Sequence, residues 1–557
     1  MTESATIDAF AQRYRFPLDD YQIHACRSLL DGAGVLVAAP TGAGKTVVGE
    51  FAVHLAATRG GKCFYTTPIK ALSNQKYHDL VDQYGPQRVG LLTGDSVVNG
   101  EADIVVMTTE VLRNMLYASS PTLTGLVSVV MDEVHYLADP FRGPVWEEVI
   151  LGLDPSVTLV ALSATVSNVE EFGAWLADVR GRIDIIVSET RPVPLYQHIF
   201  AGRRLLDLYA TPAPGASTTP AVNPELMRLA KEDSRFARDD ARRPRGRSGR
   251  GKRNHGYGSG AYGGATHKRW SSSPLVPRRS QIVAELERRD LLPAIFFIFS
   301  RAGCDRAVDR LVDDGAHLAT GAEREALREI GRRAAEGLAP GDLEALRHRR
   351  WLEAFERGIA AHHAGLLPAF KQAVEEAFGR GLVKVVFATE TLALGINMPA
   401  RTVVLEKLVK FNGESHADIT PGEYTQLTGR AGRRGIDDEG HAVVAWQTGL
   451  DPRAVAGLAS RRTYPLRSAF TPTYNMAVNL IGALGHDRAR GLLERSFAQF
   501  HADLAVTNRT GAERGPAHRS RTLVRKFDRI CLVLESFGYL EETETGLTVT
   551  EPGRRLA

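Results

Sequence analysis

Residues 35–46 read VLVAAPTGAGKT, and VVGEFAVHLAA follows directly. The apolar run Val35–Ala39 leads through Pro40, Thr41, Gly42, Ala43 and Gly44 to Lys45 and Thr46, and then into a stretch of helical period. A strand that passes through a glycine-rich turn into a helix is a phosphate-binding loop in the setting such a loop requires. Gly42 and Gly44 let backbone N–H groups curl round a β-phosphate at the helix start. Lys45 neutralises β- and γ-oxygens, and Thr46 offers a hydroxyl to Mg²⁺. Ala39 stands where the general pattern has its first glycine.

Working outward, the next informative strand is Val127–Met131, which ends in Asp132, Glu133, Val134 and His135. Two adjacent acids at a strand end suit phosphate hydrolysis. Asp132 holds Mg²⁺ through water while Glu133 polarises the attacking water. Ile104–Met107 and Thr158–Leu162 are further apolar runs, and together they alternate with helical stretches as βαβ units on a parallel sheet do. The alternation breaks over Ala201–Ser280 and resumes at Ala294–Phe299, Val383–Ala388, Arg401–Leu405 and His441–Trp446, which predicts a second α/β domain. Near its end stand Gln426, Gly429, Arg430, Gly432, Arg433 and Arg434. Arg430 and Arg433, three apart, are expected on one helical face, reaching a γ-phosphate held by the first domain. Arg434 suits a basic surface lying on nucleic acid.

Beyond Asp451 the pattern is helical. Leu523, Phe527, Ile530, Leu534 and Phe537 fall on one helix face, and Tyr539–Ala557 reads as a β-hairpin. A chain of 557 residues has room for three or four domains. No apolar run approaches the roughly 18 residues of a membrane span, and the start lacks the pattern of a signal peptide, so a cytoplasmic protein is expected. Cys26, Cys63, Cys304 and Cys531 are isolated, which argues against a zinc site or a disulfide framework. The net charge of +4 conceals an asymmetry: Arg235–Trp270 holds eleven Lys and Arg against two Asp, with Tyr257, Tyr262 and Trp270 interleaved. Such a stretch either grips phosphates and stacks on bases or is a solvated linker, and composition does not separate the two.

The motif set resembles the DExH helicases of superfamily 2, and within them the Ski-like group that feeds RNA to exosomes. In order, the matching segments are Phe16–Gln22, Ala39–Thr46, Thr66–Gln75, Leu92–Asp95, Thr108–Leu112, Asp132–His135 with its Arg142–Glu148 extension, and Ser163–Ala164–Thr165. The second half supplies Phe299–Asp305, His362–Pro368, Phe387–Pro399 and Gln426–Gly435. The span DEVHYLADPFRGPVWEE (132–148) is especially similar to this group.

The resemblance implies two tandem RecA-like domains and a winged helix: residues 1–200 and 281–450 for the former, a basic linker over 201–280, and 451–557 for the latter. It implies ATP and Mg²⁺ as cofactors, with Thr46 and Asp132 at the metal and Phe16, Gln22, Gly395 and Asn397 near the nucleotide. Ser163, Ala164 and Thr165 would couple hydrolysis to domain motion, while His135 would relay between nucleotide and strand. Thr66, Pro68, Lys70, Thr108, Thr109, Glu110 and Thr389 would touch the nucleic-acid backbone.

The implied activity is ATP-dependent unwinding of RNA, 3′ to 5′, in processing or decay, with single-stranded RNA or a 3′-tailed duplex as partner, an exonuclease beside it, and a monomer as the working form. A DNA helicase in repair and a catalytically silent RNA-binding scaffold are the alternatives. Residues Leu405–Lys410 and His416–Thr420 flank Asn412–Gly413, a hairpin signal where relatives keep a strand-separating hairpin. The group's arch insertion is expected to be reduced to Thr507–Ser520, and its C-terminal helical bundle to be missing.

Overall fold

The computed structural model describes residues 3–14, 16–139, 142–210, 221–242, 273–392, 398–411, 416–460, 465–510, 522–544 and 546–556. The chain divides into two compact units, Met1–Pro192 with Thr463–Ala557, and Val193–Arg462.

The first unit holds an eight-stranded sheet of β1 (Gly34–Ala38), β2 (Lys62–Thr67), β3 (Val89–Leu92), β4 (Val97–Val98), β5 (Ile104–Thr108), β6 (Leu126–Met131), β7 (Thr158–Ser163) and β8 (Ile183–Val187), in the order β4-β3-β5-β2-β6-β7-β1-β8. Every pairing is parallel except β3 with β4. Strands β1 and β5 are buried along their whole length, which is why they read as unbroken apolar runs. Helices α1 (Glu3–Ala11), α2 (Asp20–Leu30), α3 (Thr46–Arg59), α4 (Lys70–Tyr84), α5 (Thr109–Tyr117), α6 (Gly143–Gly152) and α7 (Val169–Arg180) complete this part. Because β6, β7 and β1 are neighbours, their carboxyl ends bring the phosphate loop, Asp132 and Ser163 to one edge of the sheet.

In the second unit a seven-stranded sheet runs β10-β9-β17-β14-β11-β13-β12. Its strands are β9 (Leu195–Ala201), β10 (Arg204–Asp207), β11 (Ala294–Phe297), β12 (Ile359–His362), β13 (Val385–Ala388), β14 (Thr402–Leu405) and β17 (Gly440–Ala445). Between the last two, β15 (Val409–Phe411) pairs antiparallel with β16 (His416–Asp418); Asn412 and Gly413 lie outside the described residues.

Two expectations about boundaries are corrected here. β9 pairs in parallel with β17, so the second unit begins at Val193 and not after residue 200. Ile199 and Phe200 are both fully buried, and a strand apolar on both faces needs a sheet on which to bury them. The segment 201–280 is also not all linker. The helix Pro224–Arg242 seats Leu226 in the second core, and its Asp233 accepts the Gly449 N–H at 2.7 Å. Residues 243–272, most of the basic stretch, lie outside the described residues.

The C-terminal part of the first unit has helices Tyr474–Leu484, His486–Glu494, Phe497–Thr510 and Thr522–Ser536, then the hairpin β18 (Leu540–Thr543) with β19 (Gly546–Val549). The expected hairpin over Tyr539–Ala557 is shorter than the sequence suggested, because Glu551–Leu556 is helical. Thr550 starts that helix, accepting the Gly553 N–H on its hydroxyl at 3.2 Å, and Pro552 sits where a first-turn proline costs nothing. Of the expected helix face, Phe527, Ile530 and Leu534 are buried, whereas Phe537 follows the helix and is 72% exposed. Of the expected arch remnant over Thr507–Ser520, residues 507–510 continue the helix Phe497–Thr510 and the rest lie outside the described residues. No helix among the described residues is long and apolar enough to cross a membrane. All four cysteines are free and buried, and burial pushes each thiol up to about 12.

Candidate nucleotide site

The phosphate loop leaves β1 at Ala39 and enters α3 at Thr46. Gly42 and Gly44 have φ of 82° and 89°, a region that a residue with a Cβ enters only at a cost, so the loop's curl depends on them. Helix α2 braces the loop from outside. Gln22 Nε2 donates to Gly44 O at 2.9 Å and Tyr21 Oη to Ala43 O at 2.7 Å, while the Asp19 N–H holds the other end of the Gln22 amide at 2.8 Å. Gln22 is fully buried, which places it as a brace of the loop; Phe16 is 41% exposed, with its ring 5.4 Å from that of Tyr14. Lys45 Nζ bonds Ala39 O at 2.8 Å and Pro40 O at 3.1 Å. A cation folded onto the loop's own carbonyls is poised to exchange them for phosphate oxygens.

At the end of β6, Asp132 accepts from Tyr65 Oη at 3.1 Å and from the Glu133 N–H at 2.9 Å. Burial and the Glu133 charge push its carboxyl up to about 6, against the pull of Lys45 and Lys76. Glu133 has φ 53°, in the left-handed region, a strained setting for a non-glycine residue. The His135 Nδ1 lies 3.3 Å from Glu133 Oε2 and 3.3 Å from the Ala164 N–H. A bare Nδ1 accepts the Ala164 proton, whereas a protonated one faces Glu133. Burial lowers the pKa of His135, which favours the neutral ring. Ser163 O accepts the Ala39 N–H at 3.2 Å, so Ser163–Ala164–Thr165 touches both the phosphate loop and the histidine. Thr46 and Asp132 offer hard oxygen donors, a set that suits Mg²⁺.

The strand-facing residues divide. Thr66 and Thr109 are fully buried and Thr108 nearly so. The Thr66 hydroxyl donates to Val130 O at 3.1 Å and that of Thr109 to Thr67 O at 3.3 Å. The Thr66 hydroxyl thus ties β2 to β6 and that of Thr109 ties α5 to β2, so these two side chains are engaged within the fold. Glu110 is likewise engaged: Arg142 Nε donates to its Oε1 at 2.8 Å, and the same guanidinium bonds Pro68 O. What remains open is Lys70, 53% exposed and 3.0 Å from Asp95, together with the starts of α4 and α5, neither capped by a side chain. Thr389 is partly exposed and its hydroxyl lies 2.9 Å from that of Thr391. Gly395 and Asn397 are outside the described residues.

In the second unit, Gln426 is partly exposed on the helix Pro421–Thr428, which stops before Arg430. Arg430 and Arg433 therefore do not share a helical face. The chain turns through Gly432 at φ 84°, where a Cβ would lie 2.6 Å from Val193, and the bonds of Ala400 with Arg430 O and the Gly432 N–H, at 2.9 and 2.7 Å, pin the turn. Sequence reasoning missed the Arg142 bracket, since residues 68, 110 and 142 meet only through packing.

Residues 19–172 match the family model described as DEAD/DEAH box helicase, and 342–435 that of the helicase conserved C-terminal domain. The chain is 56% identical to "Probable helicase HelY" of Mycobacterium tuberculosis over 92% of its own length and 55% of that protein's. It is 40% identical to the DExH-box ATP-dependent RNA helicase DExH15, chloroplastic, of Arabidopsis thaliana, covering 86% of this chain and 41% of the relative. Against Superkiller complex protein 2 of Homo sapiens the figures are 38%, 88% and 38%. The chain thus spans about half the length, or less, of these curated relatives.

Proposed function

From the premise that this chain belongs to the superfamily 2 DExH helicases, in their Ski-like group, we propose that it hydrolyses ATP to move along single-stranded RNA and separate duplexes. The observation that carries this reading is the convergence of Lys45, Asp132, Glu133 and Ser163 on the ends of three adjacent strands, with Gln22 bracing the loop between them.

Lys45 and the loop N–H groups bind the triphosphate, and Phe16 lies against the base. Thr46 and Asp132 would hold Mg²⁺, which would supply charge neutralisation on the phosphate oxygens. Glu133 takes the proton of the attacking water, and Arg430 and Arg433 stabilise the transferred phosphoryl group. His135, between Glu133 and the Ala164 N–H, reports the change to the Ser163–Thr165 turn. Lys70 and the uncapped starts of α4 and α5 receive backbone phosphates, since free N–H groups at a helix start favour anions. In the second unit, Thr389 offers a partly exposed hydroxyl to the RNA backbone.

RNA is preferred to DNA because the Arabidopsis relative is named an RNA helicase. The resemblance extends the reading to a 3′ to 5′ direction, to RNA processing or decay, to an exonuclease partner, to a cytoplasmic monomer, and to a winged helix formed by the C-terminal helices and hairpin. ATPase titrations with matched RNA and DNA homopolymers test it. Stimulation by RNA well above that by DNA is expected; the reverse would make this a DNA translocase, and neither would leave a silent binding protein.

A further inference from the structure

Two charged side chains buried in the first unit make no direct contact with the ligand-facing groups of the site above. Glu50 lies on α3, one turn beyond Thr46, and Lys76 on α4, less than two turns beyond Lys70. Their side chains are 10% and 11% exposed, and Lys76 Nζ meets Glu50 Oε1 at 2.9 Å. The other Glu50 oxygen accepts from Tyr14, whose ring neighbours Phe16. Lys76 also reaches Asp79 at 3.2 Å, and its ammonium lies 5.7 Å from the centre of the fully buried Tyr65 ring. The Tyr65 hydroxyl is the one that holds Asp132.

Removing two charges from water is expensive, and a buried ion pair often does no better for stability than an apolar pair of similar volume. Stability is therefore a poor account of this one. Geometry gives a better account, because the pair is a junction. From Lys76 one arm runs through Glu50 into the helix that carries Thr46 and on to Tyr14 beside Phe16, and the other runs across the Tyr65 ring to Asp132. Both arms end at the nucleotide, while α4 itself opens on the exposed Lys70 and an uncapped helix start. A small rotation of α4 cannot be absorbed by exposed, flexible groups, since every member between α4 and Asp132 is packed.

We infer that Glu50 and Lys76 are positioning residues that tie helix α4 to the nucleotide site, so that occupancy of the strand-facing surface and of the nucleotide site are felt by one another. The inference rests on the helicase reading of the preceding section. Neither residue touches substrate.

Coupling of this kind is a ratio of affinities and is reciprocal, which makes it measurable without turnover. The experiment is fluorescence titration of the full chain with a labelled single-stranded RNA, with and without a non-hydrolysable ATP analogue and Mg²⁺. Wild type is expected to bind RNA about tenfold more tightly with the analogue, within the usual range of such coupling. Lys76→Met and Glu50→Gln should each reduce that factor to about threefold or less, and leave the Kd for RNA alone and for analogue alone within about twofold. The double variant should be no worse than the weaker single one, because members of one pair are not additive. Lys76→Arg should retain the wild-type factor.

An unchanged factor in both single variants overturns the inference and leaves the helicase reading standing. Loss of either separate affinity, with a lowered melting temperature, shows a structural pair and overturns it as well. Absence of any nucleotide effect on RNA binding in wild type removes the reading on which it rests.

Discussion

Arg433 and Asp437 are joined at two points, Nε to Oδ2 at 2.8 Å and Nη2 to Oδ1 at 2.7 Å, and the Arg433 N–H also donates to Oδ2 at 2.9 Å. The Asp437 side chain is 2% exposed. Burial works to raise its carboxyl, but the Arg433 bonds outweigh that and hold it below the ordinary range. A residue proposed to meet a phosphoryl group is thus also the counter-ion of a buried acid. Arg433→Ala should lower turnover and destabilise the second unit by about 3 kcal/mol, the cost of leaving a buried charge unpaired. Adding Asp437→Ala should restore the melting temperature and leave turnover low. Recovery of both would show that Arg433 serves structure alone.

Glu147 makes a second buried acid a source of pH dependence. Fully buried on α6, it accepts from the Ser468 hydroxyl and from the Phe497 N–H, the latter at 2.7 Å, and so fastens the C-terminal helices to the first sheet's helices. Burial pushes its carboxyl from about 4.5 up to about 8, more than the two donors pull it down. The folded value lies above the unfolded one, so the folded state holds the proton more tightly. This contribution to stability is complete below about pH 4.5 and is lost as pH rises through about 8. Wild type should therefore lose melting temperature between pH 6 and 9 more steeply than Glu147→Gln, which has no proton to lose. Parallel curves would contradict the account.

How far the sequence was legible follows from how local each feature is. The loop 39–46 and the acids at 132 and 133 are marked by strand ends and turn chemistry, and the structure places them within a residue of expectation. Strand β9 was missed because which sheet a strand joins depends on a partner 245 residues away, β17, and no local pattern encodes that. The resemblance implied that Thr66, Thr108 and Thr109 touch nucleic acid, yet Thr66 and Thr108 lie on strands buried along nearly their whole length, and the hydroxyls of Thr66 and Thr109 bond backbone carbonyls of neighbouring elements, which local sequence does not reveal. Spacing suggested one helical face for Arg430 and Arg433, but Gly432 at positive φ turns the chain between them. The Glu50–Lys76 pair left no trace in the sequence, since a buried charge reads like any other until its partner is placed.

The segment 243–272 holds eight Lys and Arg and no Asp or Glu. If it grips phosphates, its deletion should weaken RNA binding and flatten the dependence of log Kd on log salt by about 0.7 for each phosphate it had neutralised. ATPase at saturating RNA should be unaffected, because the nucleotide site lies elsewhere. An unchanged salt slope would mark the segment as a plain linker.

Glu133→Gln tests the central claim most directly, because it keeps size and hydrogen bonding while removing the base that takes the water's proton. The measurement is steady-state ATP hydrolysis at saturating single-stranded RNA, with analogue binding followed on the same sample. The account predicts a kcat reduced by roughly a hundredfold or more, with nucleotide and RNA affinities within about twofold of wild type. Turnover near that of wild type, with both ligands bound, would contradict it.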